Sequence, residues 1–292
     1  MQHIIATRFG IGISRKTFFQ HHLEVLRKSL YPSLKIQTEK NFTWVVMCDV
    51  YIDPDSLAEL RILTSNIGGR VLIYDPIKNG RMLPDVNEIF EEMTDDKILM
   101  SRVDDDDVFS ANFVERLQTE AEKCSSYPTS IALSDGIDLF PNLNSYRKRH
   151  HPTTPVGISM LSTASSPISV YSGSHTLLHK RTVDRGGTEQ IIRTHDPMWI
   201  YVRRPSSDSS EHRGDMPNYR LHVITEPLIN YFIQCGLPEF WIEELVELQA
   251  SEFDPRPPVV GEIKLNRLEI KANLLKTMNS MRKNGKEDTD QF

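Results

Sequence analysis

The chain of 292 residues carries 40 acidic and 34 basic side chains, a formal net charge of −6, and 39% of its residues are hydrophobic. At about 100–200 residues per domain, this length allows one large domain or two small ones. The composition is that of a globular protein with a packed core, and it excludes a wholly disordered chain. The acidic balance argues against a protein that coats nucleic acid, which carries a strongly basic face, so we expect no nucleic-acid partner.

The three cysteines, Cys48, Cys124 and Cys235, are odd in number and far apart, so neither a disulfide framework nor a zinc knuckle is indicated. Each lies beside apolar residues, which favours buried free thiols. No apolar run reaches the ~20 residues that a membrane span needs, and no signal peptide is visible. We therefore expect a cytoplasmic protein without a transmembrane segment.

The first half alternates between short apolar strands and amphipathic helices. Strands are predicted at residues 4–6, 43–48, 71–74, 98–100 and 131–134. The helices between them are indicated by one apolar face that ends at Pro32, by an N-cap at Asp53, by the pattern at 86–93 and by a cap at Ser110. This alternation predicts an α/β fold with a mainly parallel central sheet flanked by helices. Ligands bind such sheets outside the carboxyl ends of the strands.

The second half is predicted to be less regular. Residues 140–174 are rich in Pro, Ser and Thr and predict a long loop region, and 205–218 predict another. A strand is expected at 198–202, a helix at 239–250 and a terminal helix with Leu268, Ala272, Leu275 and Met278 on one face. We divide the chain into 1–140, 141–284 and a disordered tail at 285–292.

The strongest signal for chemistry is a run of four aspartates at 104–107, directly after the fourth strand. On an extended segment alternate side chains point the same way, so Asp104 and Asp106 can face one site. Their hard oxygen ligands suit Mg²⁺ or Mn²⁺, above all when a phosphate completes the shell. The alternative is a solvated acidic turn before the helix near Ser110.

Several motifs resemble nucleotide-sugar glycosyltransferases with a GT-A fold. PSLKIQT at 32–38, NFTWVV at 41–46 and Asp49 are similar to their opening segment, and SRVDDDDVF at 101–109 resembles their D-x-D motif. With TRF at 7–9 and PMW at 197–199, the chain resembles a rhamnosyltransferase branch. The resemblance implies a donor-binding half at 1–140, an acceptor-binding half at 141–284, and a divalent cation, Mn²⁺ or Mg²⁺, as cofactor.

The resemblance also implies roles for individual residues. Asp104 would contact the donor or help hold the metal, and Asp106 would bind the metal that bridges the donor diphosphate. Asp49 matches the aspartate that reads the nucleotide base. The donor-binding residues would then be Thr7, Arg8, Asp49, Arg81, Arg102 and Asp104. For Arg81, a solvated surface position is the alternative.

Transfer of a single sugar, possibly rhamnose or another hexose, to an acceptor hydroxyl is the expected reaction, and inversion of configuration is expected from relatives. An acidic residue of the second half would accept the hydroxyl proton. Asp196 is the predicted base, and Glu189 and Asp135 are the alternatives. A third metal ligand would be His179 or His212. The absence of a Q-x-x-R-W motif argues against processive polymer synthesis.

Two other functions stay open. A metal-dependent phosphohydrolase could use the same carboxylates, and a catalytically inactive protein could bind a sugar nucleotide or a glycan. The basic run RKRHH at 147–151 indicates a solvated loop or a surface that attracts an anionic ligand. It has no interleaved aromatic residues, so it does not indicate a nucleic-acid platform. Trp199 is expected in the core, with stacking on an acceptor sugar as the alternative.

Overall fold

A computed structural model describes residues 1–13, 15–75, 86–89, 95–153, 156–172, 174–203 and 221–250. The elements in chain order are β1 Gln2–Arg8, α1 Lys16–Lys28, α2 Leu30–Lys35, β2 Thr43–Asp49, α3 Pro54–Ser65, β3 Arg70–Tyr74, α4 Val86–Ile89, β4 Lys97–Arg102, β5 Val108–Phe109, α5 Phe113–Glu122, β6 Thr129–Leu133, β7 Asp135–Phe140, β8 Ser145–His150, β9 Ile158–Thr163, α6 Leu178–Asp184, β10 Thr188–Ile192, β11 Trp199–Val202, β12 His222–Val223, α7 Glu226–Gln234 and α8 Trp241–Ala250. Single 3-10 turns lie at Pro141–Leu143 and His175–Leu177.

The large sheet has seven strands in the order β10-β6-β9-β4-β1-β2-β3. All of its neighbouring pairs are parallel except those of β9, which runs antiparallel to both β4 and β6. Successive side chains of a strand face opposite sides, so Ile5 joins one buried cluster while Ile4 and Ala6 join another. The prediction of an α/β fold with a mainly parallel central sheet flanked by helices is therefore confirmed.

A small sheet of five strands has the order β12-β8-β7-β11-β5. The prediction of a long loop over 140–174 is wrong, because β8 and β9 lie inside that range. The basic run at 147–151 likewise belongs largely to β8 and not to a loop. Only Ser145 of β8 is buried, and its polar, basic sequence lacks the apolar alternation by which strands are recognised.

The acidic run connects the two sheets. The chain leaves the large sheet at the end of β4, passes through residues 103–107 and enters the small sheet at β5. It crosses again at Ser134, between β6 and β7, and in the segment between β10 and β11. The aspartates at 104–107 therefore lie at the junction of the sheets.

Helix boundaries differ from prediction at two points. Pro32 does not end a helix: α1 ends before Ser29, and Pro32 lies in the first turn of α2, where its missing N–H is not needed. Ser110 does not cap α5, because its hydroxyl donates to the Asn112 side chain. The Gln37 side chain accepts from the Val114 N–H of that helix instead, at 3.0 Å. The predicted cap at Asp53 is confirmed, since its carboxylate accepts from the Ser56 N–H.

The three tryptophans, Trp44, Trp199 and Trp241, are fully buried. Trp199 packs directly over the backbone of Gly136 and Gly157, and its indole N–H donates to the Leu133 carbonyl at 2.8 Å. Trp199 is thus a core residue, as expected, and is not available for stacking on a sugar. A separate apolar cluster joins the small sheet to α7 and α8.

All three cysteines are free and buried, as predicted. None of the helices in the described part of the chain has the length and apolarity needed to cross a bilayer. The predicted terminal helix, the tail at 285–292, the loop at 205–218, Arg81 and His212 lie outside the described residues.

Candidate functional site

The candidate site lies at the carboxyl ends of β1, β2 and β4, which are adjacent in the large sheet. These ends carry Arg8, Asp49 and Arg102, and the acidic run follows β4 directly. Parallel strands bring their carboxyl ends to one edge, so residues that are about 50 apart in sequence become neighbours in space. The alternation of strands and helices in the sequence predicts a ligand site at this same edge, outside the carboxyl ends of the strands.

Two arginines and a tyrosine surround Asp104. The Arg102 guanidinium is 3.4 Å from the Asp104 carboxylate and that of Arg8 is 3.9 Å from it. Both guanidinium groups lie over the ring of Tyr171, at 4.9 and 5.3 Å from its centroid. The Tyr171 hydroxyl donates to the Ala6 carbonyl at 2.8 Å, which fixes the ring. Arg102 is buried and Arg8 is half exposed, so the positive charge that this cluster presents to solvent is that of Arg8.

The other aspartates of the run have separate environments. The Asp105 carboxylate is 2.5 Å from Nδ1 of His22, on α1. Asp106 is buried. Asp107 is fully buried and accepts from the Val202 N–H at 3.2 Å through Oδ1, while its Oδ2 has no hydrogen-bond partner among the described residues. Burial, and then the charges of Asp106 and Asp104, raise the pKa of Asp107 well above its usual value.

The donor set agrees with a divalent cation that a substrate phosphate helps to hold. Asp104, Asp106 and Asp107 are close together in the chain, and the charges of Asp106 and Asp104 both act on the buried Asp107, where like charges repel. A cation would relieve that repulsion, and carboxylate oxygens are ligands that Mg²⁺ and Mn²⁺ favour. Among the described residues, however, no group of three or more His, Cys, Asp or Glu side chains has the arrangement of a complete site. Asp104 and Asp106 would therefore need oxygens from the substrate.

The Asp49 side chain is fully buried and organises the loop after β1. Its Oδ2 accepts from the Gly12 N–H at 2.5 Å, and its Oδ1 accepts from the Tyr51 N–H at 3.0 Å. Burial raises the pKa of Asp49 to about 6. Thr7 is also fully buried, and its hydroxyl accepts from the Trp44 indole at 3.0 Å. Both side chains thus support the edge from within the core, whereas Arg8 at the same edge is half exposed.

The raised pKa of Asp49 predicts a pH-dependent stability. Between the usual value of 3.8 and about 6, the folded state binds the proton more tightly than the unfolded state, so stability falls as the pH rises through this window. A shift of this size corresponds to at most about 3 kcal/mol. Asp49→Asn lacks this titration, so the unfolding free energy of the wild type minus that of the variant should fall between pH 4 and pH 7. Urea titrations at both pH values measure it. A difference that stays constant would contradict the assignment.

The structure separates the three predicted bases. Asp196 lies exposed in the turn before β11, and its negative charge helps to raise the pKa of Tyr231 on α7. Asp135 is buried and accepts from Arg193 and from the Thr194 N–H, contacts that hold its pKa below its usual value. Glu189 lies half exposed on β10, about 4.0 Å from His179. The described contacts bring none of the three to Asp104.

His179 has the surroundings of a structural histidine. It is buried, its Nδ1 bonds the Ser130 hydroxyl at 2.7 Å and its Nε2 bonds the Pro152 carbonyl at 2.9 Å. Both ring nitrogens are therefore engaged within the protein. This leaves neither of them available to a metal ion.

A neighbouring histidine was not singled out by sequence reasoning. Nδ1 of His175 lies 2.6 Å from the Thr153 carbonyl. A carbonyl can only accept, so Nδ1 carries the proton and Nε2 has the free lone pair. Burial first, and then the charges of Arg102 and Arg8, lower the pKa of His175, and Asp104 acts in the opposite direction. The His175 imidazole thus favours its neutral form, and the charges of Arg102, Asp104 and Arg8 act on it.

A second charged group was also missed, because it depends on strand pairing. Asp138 of β7 is fully buried and is approached by three guanidinium groups. Arg147 of β8 lies 2.5 Å from its carboxylate, Arg149 of β8 lies at 2.8 Å and Arg203 lies at 3.7 Å. The charge of Arg203 also acts on Asp107. The arginine group therefore lies on the small-sheet side of the acidic run.

No curated protein matches this chain. The structure of Staphylococcus aureus TarS 1-349 in complex with UDP-GlcNAc has a TM-score of 0.45 at 11% identity, covering 94% of this chain and 81% of that one. Streptococcus pneumoniae glycosyltransferase GlyE has a TM-score of 0.39 at 9% identity, covering 88% and 66%. Against a longer S. aureus TarS structure, with a TM-score of 0.43 at 10% identity, the match covers 70% of this chain and only 37% of that one.

One family model matches residues 15–216, which is more than half of the chain. Its description reads "Putative rhamnosyl transferase". The matched region contains α1, β2, the acidic run, Tyr171 and β11, and β1, which carries Thr7 and Arg8, precedes it. The resemblance to the rhamnosyltransferase branch is confirmed: the chain belongs to this family of glycosyltransferases.

Proposed function

We propose that this protein transfers a single sugar from a nucleotide-sugar donor to an acceptor hydroxyl. The observation that carries the proposal is the Asp104 cluster, in which two arginines stack on Tyr171 beside the carboxylates at the end of β4. A site that combines arginines with aspartates suits a ligand that is anionic and also binds a metal ion, as a diphosphate does. Rhamnose is the sugar that the family description favours.

The chemistry follows from the charge that develops during the reaction. Breaking the sugar–phosphate bond leaves negative charge on the departing nucleoside diphosphate, and donors fixed beforehand stabilise that charge. Arg102 is buried and is held by Tyr171 and Asp104, so it needs little reorganisation to act. Asp104 and Asp106 would hold the Mn²⁺ or Mg²⁺, which would supply further charge neutralisation. Asp49 would support the nucleotide pocket by fixing the backbone at Gly12.

A thermal-shift panel of UDP, GDP, dTDP and CDP, each with Mn²⁺ and with EDTA, tests the donor class. A ligand that binds only the folded state stabilises it by about 2.7 kcal/mol at a hundred times its Kd. We expect one nucleotide to raise the melting temperature in Mn²⁺ and to have little effect in EDTA.

A flat panel would contradict the proposed donor site. A shift that is equal in Mn²⁺ and in EDTA would favour a metal-independent binding protein. Release of a nucleoside monophosphate and a sugar 1-phosphate from the donor, with no acceptor required, would instead favour the phosphohydrolase alternative.

We also propose an inverting reaction in which a base accepts the proton of the attacking hydroxyl. The resemblance favours Asp196 for this role. His175 is a second candidate, because the Nδ1–Thr153 hydrogen bond leaves Nε2 as the proton acceptor and the charge of Asp104 acts on the imidazole. Asp196 is exposed, and its charge acts on Tyr231 of α7.

The two bases predict different results for paired variants. If His175 is the base, His175→Gln should lower kcat by about 10²–10⁴-fold with little effect on donor binding, because a glutamine cannot accept the proton. Asp196→Asn should then lower kcat by less than about tenfold, which is the control. Steady-state kinetics with donor binding measured separately decides the matter. A loss of kcat in Asp196→Asn but not in His175→Gln would instead assign the base to Asp196.

A further inference from the structure

A polar cavity of about 290 Å³ opens beside the start of the small sheet. Its charged and titratable lining residues are Asp135, Lys148, Arg149, His150, Arg193 and His195. The cavity lies where β6 and β10 end and where β7 and β8 meet. Neither the motifs nor the proposed donor site accounts for it.

Cationic side chains predominate around this cavity. Lys148, Arg149 and Arg193 line it, and Asp135 is the only acidic residue in the lining that the structure describes. Arg193 pairs with Asp135 at 3.0 Å, while no ion pair is described for Lys148. The excess of positive charge is local, because the whole chain carries a net charge of −6. Cations collected on an acidic protein favour an anionic ligand.

The neighbouring arginine group borders the cavity. Arg149 lines the cavity and also contacts the buried Asp138, together with Arg147. Arg149 therefore shares the single Asp138 carboxylate with two other guanidinium groups. A planar guanidinium with donors on two edges can bind one carboxylate and still present N–H groups to an oxyanion.

The cavity is formed before any ligand arrives. The buried Asp135 carboxylate accepts from the Thr194 N–H at 2.7 Å and from the His195 N–H at 3.3 Å. His195 has a φ of 63°, in the left-handed region that a residue with a side chain rarely adopts. Such a conformation persists where its surroundings determine it, often at ligand sites. The Asp135 carboxylate therefore holds the rim in place.

The cavity and the Asp104 cluster share one edge of the large sheet. The strands β6 and β4 run in the same direction, since each is antiparallel to β9 between them. Two strand spacings correspond to about 10 Å across the sheet. A ligand group in the cavity would thus lie about one or two sugar rings from the donor site.

We propose that this cavity binds an anionic group, a phosphate or a carboxylate, on the acceptor. The proposal rests on the proposed function, because it assigns the second substrate of that reaction. Lys148 and Arg193 would contact the anion, and the acceptor hydroxyl would then lie toward Asp104. The cavity is the size of a small-molecule site and would admit one charged sugar unit.

Binding of three sugars of similar size tests the cavity without donor, metal or turnover. Glucose 6-phosphate, glucuronic acid and glucose are titrated in EDTA at low ionic strength, and ligand-observed NMR gives the affinity. We expect the charged sugars to bind and glucose to bind at least about tenfold more weakly. Binding of the phosphate alone or of the carboxylate alone would identify the anion. Equal binding of all three, or none, would overturn the proposal.

Substitutions of cavity-lining residues test whether the charged sugars bind in this cavity. Lys148→Gln, and the double variant with Arg193→Gln, should weaken the charged sugars by about tenfold or more. Lys148 is exposed, and without Arg193 the Asp135 carboxylate keeps its hydrogen bonds from the Thr194 and His195 N–H groups, so the variants should fold. Lys40→Gln is the matched control, because Lys40 is exposed and precedes β2, at the opposite edge of the large sheet. Unchanged affinity in the double variant would overturn the proposal. The result is independent of the nucleotide panel, so either idea can fail alone.

Discussion

Asp106→Asn is expected to lower the rate of sugar transfer by about 10²–10³-fold, the usual loss when a group that stabilises developing charge is removed. Asp106 is buried, and its charge acts together with that of Asp104 on Asp107. The variant keeps the shape of the side chain and removes its charge. It should therefore abolish the metal-dependent stabilisation by nucleotide while leaving the unliganded protein folded.

The control for this variant lies in the same run. Asp105→Asn removes an adjacent carboxylate that is hydrogen-bonded to His22. It should keep most of the transfer activity, since that carboxylate faces α1. Initial rates and the Mn²⁺-dependent thermal shift are compared for the two variants and the wild type. Equal losses in both would mean that the run acts through its total charge, and the assignment of a metal ligand to Asp106 would fail.

Asp138→Ala is expected to lower the free energy of unfolding by about 3–5 kcal/mol, the typical cost of removing one partner from a buried ion pair. Asp138 is fully buried, and the side chains of Arg147, Arg149 and Arg203 are each less than one fifth exposed. Without the carboxylate, three guanidinium groups would remain close together with reduced access to water. Equilibrium unfolding in urea measures the loss.

Arg147→Ala is the matched comparison for the aspartate variant. It leaves the Asp138 carboxylate paired with Arg149 and with Arg203, so the loss should be clearly smaller. If both variants lost the same stability, the Arg147 pair alone would account for the effect. If Asp138→Ala were neutral, the three arginines would be adequately solvated, and the account of this group would be wrong.

The strands and helices of the large sheet could be predicted because their signals are local. Apolar runs such as 43–48 read as strands without reference to the rest of the chain, and Asp53 followed by Pro54 marks a helix start by itself. The small sheet could not be found in this way. β8 carries polar residues that become strand residues only when they pair with β7.

The same difference separates the site residues. The acidic run and the strand-end arginines, Arg8 and Arg102, follow from their place in the sequence, since parallel strands bring their carboxyl ends together. Asp49 and Thr7 lie at that edge too, but only the packing decides that both are buried and face backbone and core partners.

The sequence by itself determined the α/β class, the edge of the sheet that carries the candidate site, and the carboxylates at 104–107 that lie there. Tertiary structure alone decided the order of the strands, the meeting of three arginines on Asp138, the position of His175 and the cavity at Asp135. The physical reason is the separation along the chain over which each effect acts. Propensity and periodicity act between near neighbours in the chain, whereas burial, ion pairing and cavity shape depend on which distant segments come into contact.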